Sequence, residues 1–198
     1  MINAQFFSEL IRAFLSIFVI MDPFGSVPIL LGITKNFSHI ERNHLIKQAI
    51  IIASGLLLVF LLFGKGILSF FGITIDSFKI AGGVILLLMG IETVLDLKFR
   101  NEATEGYKIA VVPLATPLIT GPGVLTAAII VVMRYGLAIG IIAAALSLLI
   151  TWGIFRNAGR IFKILGKQGN EILSKIMGLL LTAIAVEFIV QGIKAMMA

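Results

Sequence analysis

The first long apolar segment of the chain, residues 6–33, is interrupted at residues 22–28 by the sequence DPFGSVP. Two prolines, a glycine and a carboxylate therefore stand where a membrane helix is expected to be most regular, and proline removes a helical hydrogen bond. In lipid an unpaired backbone group is so costly that such a break persists only where protein or a water-filled cavity covers it. The rest of the chain is accordingly expected to form a bundle that covers this break.

The composition indicates that the bundle is embedded in lipid. Hydrophobic residues make up 59% of the chain and charged residues 13%, whereas soluble domains carry about 45–50% and about 25%. The net charge of +6 is expected in loops that face the cytoplasm and anionic lipid, not at a nucleic-acid interface. Because the N-terminus lacks a basic region and a cleavage site, we expect no cleaved signal peptide and a first segment that is retained as a helix.

A membrane helix needs about 20 apolar residues, and the sequence predicts six spans. They are expected at about residues 6–33, 49–63, 78–95, 109–133, 137–155 and 172–197. The fourth span is longer than necessary, like the first, and it is interrupted at residues 113–123 by the sequence PLATPLITGPG. Polar segments at 34–47 and 96–108 and a basic linker at 156–167 are expected to lie outside the membrane.

The two halves of the chain resemble each other at an offset of 94 residues, which becomes 96 further on. The matched residues are Pro23 with Pro117, Pro28 with Pro122, Gly72 with Gly166, and Gly82 with Gly178. Three spans in each copy place the second copy in the membrane with the opposite orientation, which is the inverted repeat of many secondary transporters. Repeat one is assigned to about 1–96, the polar linker to about 97–108 and repeat two to about 109–198.

The distribution of basic residues predicts the orientation. Eleven Lys and Arg residues lie in or beside the connections between spans one and two, three and four, and five and six, and five lie on the other side. Because basic loops are retained in the cytoplasm, both termini are expected outside the cell.

The two breaks together form the predicted substrate site. Asp22 and Thr116 each precede a proline and are expected to cap a half-helix, and Gly121-Pro122 is expected to restart another, with Thr120 or Gly121 as the cap. Free N–H groups at such ends suit a carboxylate, and unwound carbonyls suit an ammonium group or a cation. The predicted substrate-binding residues are Asp22, Pro23, Gly25, Ser26, Thr116, Thr120, Gly121 and Gly123. The alternative is a structural kink in which Asp22 and Thr116 only bond the free N–H groups at the ends of the broken helices.

Within that site we expect the N–H groups of Gly25, Ser26, Gly121 and Gly123 to hold a carboxylate, assisted by the hydroxyls of Thr116 and Thr120. Asp22 is expected to face the ammonium group or to carry a coupling proton.

Three carboxylates lie within apolar segments, where a charged residue is a functional hypothesis by default. Asp22, Glu92 and Glu187 are the candidates for coupling. The alternative is that each glutamate lies near a helix end and reaches the interface. Glu187 lies deeper in its apolar segment, which favours proton coupling or a polar contact within the bundle. His39 and His44 are five residues apart, so they would not lie on the same face of a helix to bind one metal ion. Both are expected to be solvated, and no metal site or other cofactor is expected.

Three stretches together resemble the MarC family of six-span prokaryotic membrane proteins: MDPFGSVP at 21–28, PLATP at 113–117 and TGPG at 120–123. The resemblance covers essentially the whole chain. That family is placed near the LysE-type exporters, and its members known as SnatA transport small neutral amino acids such as glycine and alanine. The resemblance implies these substrates, proton or ion coupling, and a multi-pass protein of the cytoplasmic membrane. The spacing of the breaks by itself supports only a small zwitterion.

We therefore expect an all-α membrane protein, with helices one and four discontinuous, that works as a secondary transporter in which one repeat rocks against the other. The expected partners are a small neutral amino acid, membrane lipid and a proton or cation; homo-oligomerisation stays open. The alternatives are an exporter of another small metabolite or drug, a channel with re-entrant loops, and a scaffold for partner proteins. A membrane-embedded enzyme is disfavoured, because no nucleophile–base pair or metal cluster lies in any span.

Overall fold

The computed structural model describes residues 2–95 and 119–197, and these two ranges are helical without any strand. The helices, numbered here in chain order, are α1 (Ile2–Met21), α2 (Ser26–Ile33), α3 (His39–Phe70), α4 (Ile75–Leu95), α5 (Pro122–Tyr135), α6 (Leu137–Arg156) and α7 (Ala158–Met197). The predicted all-helical class is confirmed.

Four of these helices, α3, α4, α6 and α7, are long and apolar enough to cross a membrane. The described part of α1 from Gln5 and the whole of α2 qualify together as a fifth span, bent by 44° at the break. The predicted interruption of the first span is therefore confirmed. Helix α5 has 14 residues, and residues 109–118 of the predicted fourth span, like the polar linker 97–108, lie outside the described residues. Six spans and an inverted repeat stay predictions.

The polar segment 34–47 was expected to be a loop, and this prediction is wrong. Helix α3 already begins at His39, because Ser38 and Glu41 form a capping box. The Glu41 N–H donates to Ser38 Oγ over 3.3 Å, and the Ser38 N–H donates to Glu41 Oε2 over 2.8 Å. The helix also continues past the predicted end at residue 63, through Lys65, to Phe70.

The basic linker 156–167 is also largely helical, and the helix of the last span follows it directly after Gly166, a few residues before the predicted start at about 172. Helix α7 begins at Ala158 and is interrupted at Gly166, where φ is +67° and ψ is 179°. The buried side chain of Asn170 donates to the Gly166 carbonyl oxygen over 2.7 Å. This bond satisfies a carbonyl group that the kink removes from the helical ladder.

Gly72 and Gly166, which the sequence aligns at an offset of 94, both have a φ of +67°. Residues with a side chain rarely adopt this left-handed conformation, so both positions favour glycine for the same reason. The shared conformation, found at the ends of matching helical segments, agrees with an internal repeat.

Glycines allow α4 to lie close to α7, its most extensive packing partner. A Cβ on Gly83 would lie 2.8 Å from the carbonyl oxygen of Ala185, and one on Gly90 would lie 2.9 Å from that of Gly178. Lipid gives helices no hydrophobic reason to associate, so the bundle depends on such close packing of small residues.

Substitution of Gly90 tests this packing. Because the atoms that a methyl group would meet include backbone, Gly90→Ala is expected to destabilise the fold by about 1–3 kcal/mol. Gly55→Ala, where a methyl group meets no atom within 4 Å, is the matched control and should be neutral or stabilising by about 0.5–1 kcal/mol. Thermal unfolding in detergent measures both, and an equal response of the two variants would contradict the packing.

Candidate functional site

Asp22 joins the two halves of the broken span. Its N–H donates to the carbonyl oxygens of Phe18 and Val19, each over 3.2 Å, which closes α1. Its own carbonyl oxygen accepts from the Ser26 N–H over 3.1 Å, which is the first helical bond of the following segment. Its φ of +42° is the only positive value among the described residues other than glycine. Asp tolerates this conformation better than most side chains do.

The Asp22 side chain holds the turn that precedes α2. The predicted half-helix start, with Asp22 as the N-cap and Pro23 in the first turn, is wrong, because α2 begins at Ser26 with Gly25 as its N-cap. Oδ1 accepts a hydrogen bond from the Gly25 N–H over 3.0 Å. A Cβ on Gly25 would overlap the carboxylate, so glycine is required for the carboxylate to lie this close to the backbone. The side chain of Asp22 is buried, with 9% of its residue surface exposed.

The second oxygen of this carboxylate, Oδ2, accepts no hydrogen bond from the residues that the structure describes, and neither ion pair found there involves Asp22. A buried ionised carboxylate requires a cation or a proton as its partner. Of the two carboxylate oxygens of Asp22, Oδ1 therefore stabilises the fold and Oδ2 is available to a ligand or a proton.

The second break restarts a helix where the sequence predicts it. Gly121 is the N-cap of α5, with an extended backbone (φ −65°, ψ 167°), and Pro122 is the first helical residue. Thr120, Gly121 and Gly123 are buried. The first N–H groups of a helix have no partner within it, so the start of α5 directs backbone donors and a partial positive charge into the protein interior.

Gly123 brings the start of α5 against the first break. A Cβ on Gly123 would overlap the side chain of Leu86 in α4 and would lie 3.3 Å from Cγ2 of Ile20. Ile20 belongs to the last turn of α1, two residues before Asp22. The two breaks are therefore neighbours in the folded protein, although about a hundred residues separate them in the chain.

The other predicted site residues are placed differently. Ser26 and Pro23 are buried beside Asp22. The N–H groups of Gly25 and Ser26, expected to hold a carboxylate, are already bonded to Asp22. Both donors are therefore occupied within the protein in this structure, and their binding of a substrate carboxylate stays a prediction. Thr116 lies outside the described residues.

Glu92 and Glu187, the remaining coupling candidates, do not share the buried environment of Asp22. Glu92 is half-buried near the end of α4. Glu187 lies on the exposed face of α7, where its Oε1 accepts from the Gln191 side chain over 2.6 Å. Among the three predicted coupling residues, only Asp22 is buried.

Helix α6 contributes a residue that the sequence reasoning missed. Thr151 is fully buried, and its hydroxyl donates to Sδ of Met21 over 3.1 Å. Ser147, one turn earlier, is also fully buried, and its hydroxyl donates to the Ala143 carbonyl oxygen over 2.8 Å. Two hydroxyls four residues apart in an apolar span indicate a polar stripe, and this spacing is the signal that could have identified α6 as a wall of the break.

The arrangement offers a carboxylate, a serine hydroxyl and a helix N-terminus within a bundle of apolar helices. Within residues 2–95 and 119–197 there is no group of three His, Asp or Glu residues that could hold a metal ion. These groups can bind a small polar molecule, and they can hold or release a proton.

Asp22 variants separate the cap from the charge. Asp22→Asn keeps an acceptor for the Gly25 N–H and suits the same φ, so its thermal stability in detergent should match that of the original protein. Asp22→Leu removes the acceptor and should lose about 1 kcal/mol. Equal losses in the two variants would contradict a capping role and would attribute the stability to the charge.

This fold and this site define the class of the protein: it is a multi-pass helical membrane protein with a broken first span. The chain belongs to the MarC family, since the family model described as MarC family integral membrane protein matches residues 7–197.

Relatives of similar length support this assignment. A UPF0056 membrane protein of Methanocaldococcus jannaschii is 44% identical over 196 aligned residues, which cover 93% of this chain and 95% of the relative. One from Archaeoglobus fulgidus is 35% identical, with 96% and 94% covered. One from Escherichia coli is also 35% identical, over an alignment that covers 92% of this chain and 91% of the relative. No solved structure matches the chain significantly.

Proposed function

We propose that the protein is a secondary transporter of small neutral amino acids, such as glycine and alanine, in the cytoplasmic membrane of a prokaryote. The observation that carries the proposal is the buried carboxylate of Asp22, without an ionic partner among the described residues, at the bend of a broken span. Polar groups at such depth are retained in membrane proteins mainly for function.

In this proposal the substrate lies between the two breaks. Its ammonium group contacts Oδ2 of Asp22, and its carboxylate contacts the first N–H groups of α5, with the hydroxyls of Ser26, Thr116 and Thr120 as further partners. Half-helix ends hold zwitterions in this way in other transporters. Glycine at positions 25 and 123 lets other side chains lie against the backbone at both breaks: the Asp22 carboxylate at Gly25, and Leu86 and Ile20 at Gly123. The close packing there favours substrates with small side chains.

The proposed transport cycle uses the internal repeat. Two inverted repeats of three spans each, with both termini outside, would rock against one another around the site. The matched prolines and the shared conformation of Gly72 and Gly166 support the repeat. Asp22 would carry the coupling proton or contact a coupling cation, and no catalytic activity and no nucleic-acid partner are proposed.

Two other functions are consistent with part of this geometry. A bend of 44° between α1 and α2 also fits a re-entrant loop, which would make the protein a channel. Single-channel recording in planar bilayers tests that function: a channel would show ionic conductance, and it would show no counterflow of labelled amino acid in liposomes. An exporter of another small metabolite or drug would leave the site in place and change only its ligand.

Uptake of labelled glycine and alanine into proteoliposomes, with and without a proton gradient, tests the proposed function. We expect saturable uptake that the gradient stimulates. Asp22→Asn, which preserves the cap, should reduce gradient-driven uptake by about tenfold or more, because the carboxylate is the group buried at the break. Glu187→Gln removes an exposed carboxylate of another span and is the matched control, while Glu92→Gln should have a smaller effect than Asp22→Asn.

No uptake of either amino acid by folded protein would overturn the substrate assignment. Equal and small effects of the three substitutions would remove Asp22 from its proposed role while leaving the substrate assignment in place.

A further inference from the structure

A second polar feature lies at the end of the bundle where α3 and α7 begin. It is a cleft of about 620 Å³ between the first turns of these two helices and the last residue of α6. Five basic or ionisable side chains line it, namely His39, Arg42, Arg156, Arg160 and Lys163, and no acidic side chain does so among the described residues. The cleft is separate from the break at Asp22.

The two helices add partial positive charge to the same cleft. Helix α3 begins at His39 and α7 at Ala158, so the N-terminal ends of both open on it. The Asn157 carbonyl oxygen accepts the N–H groups of Arg160 and Ile161, over 2.9 and 3.0 Å. In the first turn of α7, only the N–H groups of Ala158 and Gly159 are then left without a helical partner. Gly159, which also lines the cleft, presents no side chain to block an approaching anion.

The basic side chains are partly positioned but not neutralised. Arg42 donates from Nε to Oγ1 of Thr34 over 2.9 Å and from Nη2 to the Thr34 carbonyl oxygen over 3.1 Å. Neither ion pair of the described residues, Asp76–Lys79 or Glu171–Lys175, belongs to the cleft. The nearest acid along the chain, Glu41, is bonded to the Ser38 N–H. Guanidinium groups held together without an acid repel one another, and an anion between them removes that cost.

Arg156 places the cleft at the level of the membrane surface. Its guanidinium lies over the ring of Trp152, 5.3 Å from the ring centroid. Trp152 is exposed in the last turns of the apolar helix α6, and tryptophan at the end of a membrane helix marks the lipid headgroup region. The cleft thus has the depth at which lipid phosphates lie.

A general preference for basic residues on one side of the membrane does not account for this cluster. Lys35, Lys47 and Lys167 lie in the same connections of the chain, yet they do not line the cleft. The preference explains the side on which these charges occur. It does not explain why several of them converge with two helix ends on one cavity.

We propose that this basic cleft binds the phosphate of an anionic phospholipid headgroup. Arginine guanidinium groups bind phosphate oxygens with paired hydrogen bonds, and the first turn of α7 supplies backbone donors. Basic pockets between membrane helices bind the headgroups of anionic lipids elsewhere. A bound headgroup would join the start of α3, the end of α6 and the start of α7.

The purified full-length protein tests this binding in micelles that contain phosphatidylcholine with or without phosphatidylglycerol. Phosphatidylglycerol should raise Tm by about 4 °C, and Arg160→Gln combined with Lys163→Gln should abolish this rise. Lys35→Gln combined with Lys47→Gln removes the same charge outside the cleft and should keep it. Because Arg160 and Lys163 are exposed, the first double variant should fold with an unchanged Tm in phosphatidylcholine alone.

Inorganic phosphate, added in phosphatidylcholine micelles, distinguishes a lipid from a soluble anion. Stabilisation by inorganic phosphate but not by phosphatidylglycerol would overturn the lipid assignment. An equal loss of the Tm rise in both double variants would reduce the effect to general surface charge and would overturn the site. Native mass spectrometry of the original protein gives an independent measurement, since retained phosphatidylglycerol is expected and its absence would contradict the proposal.

Discussion

A chain that interrupts its helix inside lipid must supply partners for the backbone groups that the interruption releases, and Asp22 does so here. Its carboxylate accepts the Gly25 N–H and its carbonyl oxygen accepts the Ser26 N–H. Glycine at position 25 is the condition for this cap, because any side chain would overlap the carboxylate. The surrounding bundle then excludes lipid from the break: α4 through Leu86, α5 through Gly123, and α6 through Thr151.

The same geometry relates the stability of the fold to the proposed transport. Only one oxygen of the Asp22 carboxylate is needed for the cap, so the other can serve a ligand or a proton. The break also bends the first span by 44°. A span that is already bent needs few further changes in backbone conformation to close around a substrate from either side.

Much of this fold could be predicted from the sequence, because hydrophobicity and proline dominate its physics. The break at 22–28, the restart at Pro122 and the extent of α6 follow from those signals alone. The starts of α3 and α7 could not be placed from apolar length, because both lie in segments with several basic residues and are stabilised by the capping box of Ser38 and by the carbonyl oxygen of Asn157. The adjacency of Ile20 and Gly123 and the basic cleft depend on tertiary packing, which no local pattern encodes.

Counterflow of labelled glycine tests the central claim, that the paired breaks form an alternating-access site for a small zwitterion. Proteoliposomes loaded with unlabelled glycine would be diluted into labelled glycine without any ion gradient. The account predicts transient accumulation of label above its external concentration, because a carrier returns loaded more readily than empty. Simple equilibration of label, at a rate that does not depend on internal glycine, would contradict it.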